Sequence, residues 1–225
     1  MSSIPFYETP NGQTLLCEAN YPSEVKHYLS AEKNAMDSMA LQYQTIVELG
    51  CIDGRYSYLV KLNYKTYIGV DKCLETILNG KEKESKNISL VHMDALEYLE
   101  QKAKDFKEGT LLLFPFNALG NMKTRTEIMG YIKRCRLDTL ISTYNISSMA
   151  LSSRREYYAL SKPQNLKAIT DQKEVLFTSI NGLHSRSIST EWLNGMLKDV
   201  DCKLTSTALG KIGAAHRIIF KSNSR

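Results

Sequence analysis

The sequence predicts an α/β fold: a doubly wound, mostly parallel seven-stranded sheet with a C-terminal antiparallel hairpin and helices on both faces. Three observations carry that expectation. Between residues 45 and 145 short apolar runs alternate with stretches of helical period, the pattern of right-handed βαβ crossovers. The runs are nearly continuous in apolar side chains, as strands covered on both faces must be. The chain then closes on two runs, 202–209 and 215–221, joined only by the short "GKIG" at 210–213, which makes them an antiparallel pair.

Each element has its own signal. Residues 1–22 carry Pro5, Pro10 and Gly12 without periodicity and read as an irregular arm before a single domain, 23–225. Val25, Tyr28, Leu29, Met36, Met39, Ala40 and Tyr43 recur at helical spacing, and Ser23 with Glu24 makes a reasonable helix start. "TIVEL" (45–49), "TYIGV" (66–70), "ISLVHM" (88–93), "TLLLFPF" (110–116) and "DTLISTYN" (138–145) are the five parallel strands. Between them, 56–62, 72–80, 95–106 and 125–135 are helical, Gly80 being a natural stop. After residue 146 the pattern changes. "SSRREYYALS" (152–161) is helical up to the break at Pro163, and 174–180 and 183–188 alternate like marginal strands or an added hairpin. "TEWLNGMLKDV" (190–200) is a helix opened by Ser189 or Thr190.

Composition excludes several function classes. With 225 residues, 43% hydrophobic and 24% charged, the chain suits one sizeable globular domain. No apolar run approaches the roughly 18 residues that span a bilayer, so no membrane partner is expected. "MSSIPFYETPNGQ" has neither a basic region nor an apolar core of a leader, and a cytoplasmic location is expected. Cys17, Cys51, Cys73, Cys135 and Cys202 are odd in number, scattered and never C-x-x-C, and His27, His92, His184 and His216 are equally dispersed, so no metal site is expected. The net charge of +5 permits an anionic partner, but the basic clusters are short and lack the dense stripe of a nucleic-acid groove. A monomer or homodimer is expected.

The chemistry sits at strand ends, because an open α/β sheet binds ligands beyond the carboxyl ends of its strands. The first strand ends in "ELGCIDG" (48–54), the second in "GVD" (69–71), the third in "MDA" (93–95) and the fourth in "PFN" (115–117). Each carboxylate alone reads equally as a helix N-cap. Three at successive strand ends, beside a two-glycine bend, point to a shared ligand. Ile52 stands where nucleotide-binding loops often carry another glycine. A β-branched residue avoids positive φ, so ordinary backbone angles are expected there, with Gly50 and Gly54 absorbing the turn. The missing glycine argues against a dinucleotide, whose pyrophosphate requires it.

In these four motifs, taken in order, the chain resembles the class I, Rossmann-like S-adenosylmethionine-dependent methyltransferases of small-molecule type, over roughly residues 23–221. "ELGCIDGR", "YIGVDKC", "VHMDALEY" and "LLFPFNALGNM" look like their first to fourth motifs. The resemblance implies S-adenosylmethionine as cofactor and S-adenosylhomocysteine as product. It implies that Gly50 and Gly54 admit the cofactor, that Glu48 holds the turn and faces the methionine ammonium, and that Asp71 accepts both ribose hydroxyls. Asp94 would take the adenine amino group between Ala95 and Leu96. Cys51, Lys72 and Phe114 complete the implied cofactor contacts, Cys51 reading most simply as a small space-filler.

A small-molecule acceptor, methylated on nitrogen or oxygen, is the expected partner. Phe116, Asn117, Asn121, Tyr144, Tyr157 and Tyr158 are the candidate acceptor-binding residues, with 146–190 as the acceptor side. Two adjacent tyrosines cannot both face inward on one helix, so at least one of Tyr157 and Tyr158 is expected to pack. No triad is visible. His184, Tyr157 and Asn117 are the candidate catalytic groups, each with an ordinary structural reading, while His92 reads as a core histidine. Tyr7, Tyr21 and Tyr28 can fold over the cofactor as a lid. Two alternatives stay open: an RNA or protein methyltransferase, and a non-catalytic binding protein on the same fold, which Ile52 favours.

Overall fold

The computed structural model describes residues 6–62, 65–171 and 173–221. Among the described residues ten strands follow in chain order: β1 (Thr45–Leu49), β2 (Thr66–Asp71), β3 (Ile88–His92), β4 (Thr110–Phe114), β5 (Asp138–Tyr144), β6 (Lys167–Thr170), β7 (Val175–Thr178), β8 (His184–Arg186), β9 (Cys202–Leu209) and β10 (Gly213–Phe220). Seven form one sheet in the order β3-β2-β1-β4-β5-β10-β9. The β1–β5 pairings are parallel, and β10 runs antiparallel to both its neighbours. The expected sheet and hairpin are therefore present.

Along β4 the side chains part to two cores. Leu111 and Leu113 face the cluster built on Tyr28, Met36 and Tyr144, while Leu112 and Phe114 face the one built on Val47, Ile128 and Leu193. Each fully buried leucine here stabilises the fold by roughly 1.5–3 kcal/mol relative to leaving it exposed. The first core is covered by α2 (Ser23–Ala40) and α7 (Ser148–Ala159); the second lies under α4 (Ala95–Lys102), α6 (Arg125–Cys135) and α8 (Thr190–Leu197). Serine side chains cap two of these helices: Ser147 Oγ accepts from Ala150 N at 3.1 Å, and Ser189 Oγ from Trp192 N at 3.0 Å. Gly213 lets α2 approach the sheet, since a Cβ there would lie 2.2 Å from the Tyr28 ring. No helix among the described residues is long and apolar enough to cross a membrane.

Several expectations need correction. The arm is not irregular: Phe6–Glu8, α1 (Pro10–Gln13), Thr14–Leu16 and Glu18–Asn20 are successive helical turns, and Leu15 and Tyr21 are buried. Pro5 lies outside the described residues. Ser57–Leu62 is a 3₁₀ turn. The segment after residue 146 adds a separate three-stranded antiparallel sheet, β6-β7-β8, whose first strand was not anticipated. His92 is no core residue. It sits exposed on the edge strand β3 and its ring meets the Lys72 carbonyl at 3.0 Å.

Candidate active site

A cavity of about 390 Å³ opens beyond the carboxyl ends of the parallel strands, where the order reverses between β1 and β4. Its first wall contains Gly50, Ile52, Asp71, Lys72, Asp94 and Ala95. Its second wall holds Phe116, Asn117, Asn121, Tyr144, Tyr157 and Tyr158, with His184 beside them. Phe6, Tyr7 and Leu16 of the N-terminal turns line it as well. Gln13 Nε2 donates to the Tyr7 carbonyl at 2.7 Å, which holds those turns together.

The bend after β1 is built from backbone bonds. Gly50 N and Cys51 N both donate to the Val70 carbonyl, at 2.8 and 3.2 Å, and Gly54 N donates to Cys51 O at 2.9 Å. Gly50 has φ +83°, and a Cβ on it would stand 2.8 Å from the Ala118 methyl. Ile52 overturns the expectation of ordinary angles: its φ is 57°. The turn that carries this angle is held on its near side by the bond from Ile52 N to Asp71 Oδ2 at 2.9 Å. A left-handed β-branched residue costs roughly 1–3 kcal/mol, which the surrounding bonds must outweigh.

Asp71 accepts that amide on one oxygen and Cys73 N on the other, also at 2.9 Å. A carboxylate offers about four acceptor positions, of which these two amides occupy two, and Asp71 lines the cavity. Burial raises its pKa above the ordinary value, opposed by these two amides. Asp94 serves the helix and the cavity wall together. It caps α4 by accepting Leu96 N at 2.8 Å, and it lines the cavity.

The remaining cofactor-side candidates stand behind the wall. Glu48 is fully buried and lies off the cavity, so it does not face a ligand there. Its Oε2 accepts Tyr56 N at 3.2 Å and the Tyr67 hydroxyl, while Oε1 has no partner among the described residues. Burial pushes its carboxyl up to about 8. Cys51 and Phe114 are also fully buried, and neither they, Gly54 nor Leu96 line the cavity. Cys51 fills space, as its size suggested.

Sequence reasoning missed Glu32. This buried carboxylate accepts Phe116 N at 2.7 Å and the Ser142 hydroxyl on Oε1, and the Tyr56 hydroxyl at 2.6 Å on Oε2. It thereby fixes the loop after β4, where Phe116 (φ 45°) and Asn117 (φ 61°) are both left-handed. A signal was present: Glu32 interrupts the apolar stripe of α2 between Tyr28 and Met36.

On the acceptor-side wall both tyrosines are buried, against the expectation for adjacent residues. α7 is covered over a wide arc, so the two rings diverge to different partners. Tyr157 donates to the Leu15 carbonyl at 2.7 Å, and Tyr158 lies 2.6 Å from Ser185 Oγ. The Tyr144 hydroxyl is buried without a partner among the described residues. Asn117 bonds Asn121, Ser185 and Thr143, and so stabilises its loop as well as lining the cavity. The His184 ring makes no hydrogen bond to the described residues. Burial, then nearby Arg186, Lys123 and Arg125, lower its pKa, which leaves the imidazole neutral at pH 7.

No family model and no curated protein matches the chain. Solved structures do match. A candidate S-adenosylmethionine-dependent methyltransferase from Listeria monocytogenes superposes with a TM-score of 0.59 at 11% identity, over 86% of this chain and 100% of the other. The glycopeptide N-methyltransferase MtfA, in complex with S-adenosyl-L-homocysteine, gives 0.53 at 10%, over 95% and 99%. The 1,6-didemethyltoxoflavin-N1-methyltransferase of Burkholderia thailandensis, with that compound and S-adenosylhomocysteine bound, gives 0.52 at 10%, over 88% and 80%. The fold is that of the S-adenosylmethionine-dependent methyltransferases. At such identities the likeness lies in the architecture, and the residues of this chain must carry the rest.

Proposed function

We propose that the protein transfers a methyl group from S-adenosylmethionine to a small-molecule acceptor. One observation carries this reading: at the reversal of strand order, Asp71 lines the cavity with two acceptor positions unused, beside a Gly50 bend that brings backbone to the same wall. A ribose diol matches such a carboxylate, and a sulfonium cofactor has no phosphates to demand the glycine that Ile52 replaces. Asp94 and Ala95 border the space for adenine. On this reading residues 23–225 are one cofactor-binding domain and 146–190 supply its acceptor side.

When bound, S-adenosylmethionine supplies a methyl already activated by positive sulfur, so the chemistry is an in-line displacement that needs alignment and a dry site. The rings of Phe116, Tyr144, Tyr157 and Tyr158 line the cavity, and on this reading they would keep water from the acceptor side. The neutral imidazole of His184 can take the proton of an attacking hydroxyl or amine. Glu32 holds Phe116 in place by its backbone amide.

Calorimetric titration with S-adenosylhomocysteine tests the reading. A micromolar dissociation constant is expected; no heat at millimolar ligand would remove the basis of the assignment.

A further inference from the structure

The aromatic residues of the acceptor-side wall spend their polar ends on the protein. Phe116, Tyr144, Tyr157 and Tyr158 line the cavity there, and Phe6 and Tyr7 join them from the N-terminal turns. Tyr157 donates its hydroxyl hydrogen to the Leu15 carbonyl at 2.7 Å, and Tyr158 donates to Ser185 Oγ at 2.6 Å. The Tyr144 hydroxyl is buried. Asn117, on the same wall, accepts from Thr143 and donates to Asn121 and Ser185. These side chains offer a ligand ring surface and no free hydroxyl hydrogen.

Phe116 is the hub of that surface. Its ring centroid lies 5.6 Å from that of Tyr157 and 6.3 Å from that of Tyr144. The rings of Tyr21 and Tyr28 lie 5.5 and 6.0 Å from it. Such separations are those of offset or edge-on ring contacts. Its backbone is fixed without a ligand, because Phe116 N donates to the buried Glu32 at 2.7 Å.

Charge narrows the choice of ligand. Arg154 is buried, has no carboxylate partner among the described residues, and lies 4.9 Å from the Tyr144 ring centroid and 5.7 Å from that of Tyr158. Arg125 and Arg186 share the single carboxylate of Glu174. An ammonium among these rings would meet like charge, with Asp71 and Asp94 on the other wall and Glu8 on the turn joined to it through Tyr7 O and Cys73 Sγ. An anion fares no better. Arg154 does not line the cavity, and its terminal nitrogens donate to Val175 O and Ser185 O at 3.3 and 2.8 Å. Lys123 lines the cavity but is exposed, so a carboxylate among the rings would lose water without gaining a buried cation. The Tyr7 hydroxyl and the His184 imidazole line the cavity and make no hydrogen bond to the described residues. Both are neutral at pH 7, since burial raises the pKa of the first and lowers that of the second.

We infer that the acceptor is an uncharged, flat aromatic compound, methylated on a hydroxyl or N–H of its ring system, with Phe116 as its platform. As the methyl bonds to that atom, its proton passes to His184 and the sulfonium becomes a thioether. This rests on the methyl-transfer reading for the word acceptor, but the ring site stands on its own geometry.

The test follows four probes by fluorine NMR: 4-fluorophenol, trans-4-fluorocyclohexanol, 4-fluorobenzylamine and 4-fluorobenzoate. They are similar in size and differ in ring character or in charge at pH 7. Each is titrated against the full chain saturated with S-adenosylhomocysteine, and again without it. The phenol is expected to bind at least about fivefold more tightly than each of the others. Phe116→Leu, which keeps an apolar side chain and removes the ring, should shrink the preference for phenol over cyclohexanol to within about twofold. A charged probe or the cyclohexanol binding as tightly as the phenol, no phenol binding at about 10 mM, or an undiminished preference in a folded Phe116→Leu would each overturn the inference. The comparison on the parent protein decides even where the variant does not fold. Failure of S-adenosylhomocysteine to bind, with the preference for the phenol intact, would strike the cofactor assignment and spare the ring site.

Discussion

Replacing Asp71 with alanine should separate ligand affinity from fold. Two of its acceptor positions hold Ile52 N and Cys73 N, and two are left for the ribose hydroxyls. A hydrogen bond to a charged group contributes about 1.5–3 kcal/mol, so losing two at the lower figure costs about 3 kcal/mol, somewhat more than a hundredfold in Kd. Stability falls separately. Two backbone amides lose their acceptor, and at about 1 kcal/mol each the melting temperature of a chain this size should drop by roughly 4–8 °C. Titration calorimetry with S-adenosylhomocysteine, beside a thermal melt, reads both numbers. The pH dependence adds a sign. Burial raises the Asp71 pKa in the free protein, whereas bound hydroxyls favour its ionised form, so affinity should weaken as pH falls through that raised pKa, with protons released on binding. Asp71→Ala should lack that slope. A folded Asp71→Ala variant with Kd within threefold of the parent would refute the reasoning.

Other perturbations probe the parts around it. Asp94→Ala removes a helix cap as well as a cavity carboxylate, so it should cost about 1 kcal/mol of stability by thermal melt and raise Kd by less than Asp71→Ala does. Glu48 stays protonated in the folded chain to about pH 8 but ionises near 4.5 when unfolded. The unfolded state therefore holds fewer protons between those values. Stability from this group is full below the lower value and is lost as pH rises toward 8, by an amount on the order of several kcal/mol. Glu48→Gln should flatten the fall in denaturation midpoint between pH 5 and 8; an unchanged slope would contradict the burial argument. Gly120→Ala would set a Cβ 1.9 Å from the Arg186 carbonyl, and should lower the melting temperature by at least several degrees as the helical turn Ala118–Asn121 is forced off β8.

The strands β1, β4 and β5 are buried on both faces; β4 is written as an unbroken apolar run from Leu111 to Phe114, whereas Glu48 interrupts β1 and Thr139, Ser142 and Thr143 interrupt β5, which are legible from their shorter apolar cores. β6 escapes for the opposite reason: Lys167–Thr170 is mostly exposed and carries no periodicity. His92 misleads because β3 is an edge strand, where an inward-looking pattern still leaves a side chain in solvent. Ile52 could not be read locally. Its left-handed turn sits beside a bond to Asp71, nineteen residues on, and no intrinsic preference reveals that bond. The cavity residues fare better at the carboxyl ends of strands, where Asp71 closes β2 and Asp94 follows β3 by two positions, since topology alone carries them to one edge. Glu48 ends no strand but lies one position short of the end, and the alternation of β1 points it into the core. Glu32 acts from a helix far away in sequence. Only its intrusion into an apolar stripe marks it.

A crystal structure with S-adenosylhomocysteine bound tests the central claim most directly. Both ribose hydroxyls should lie within hydrogen-bonding distance of Asp71, adenine beside Asp94 and Ala95, and the sulfur toward Tyr144, Tyr158 and His184. The molecule bound in another cavity, or turned so that its sugar stands away from Asp71, would contradict the account.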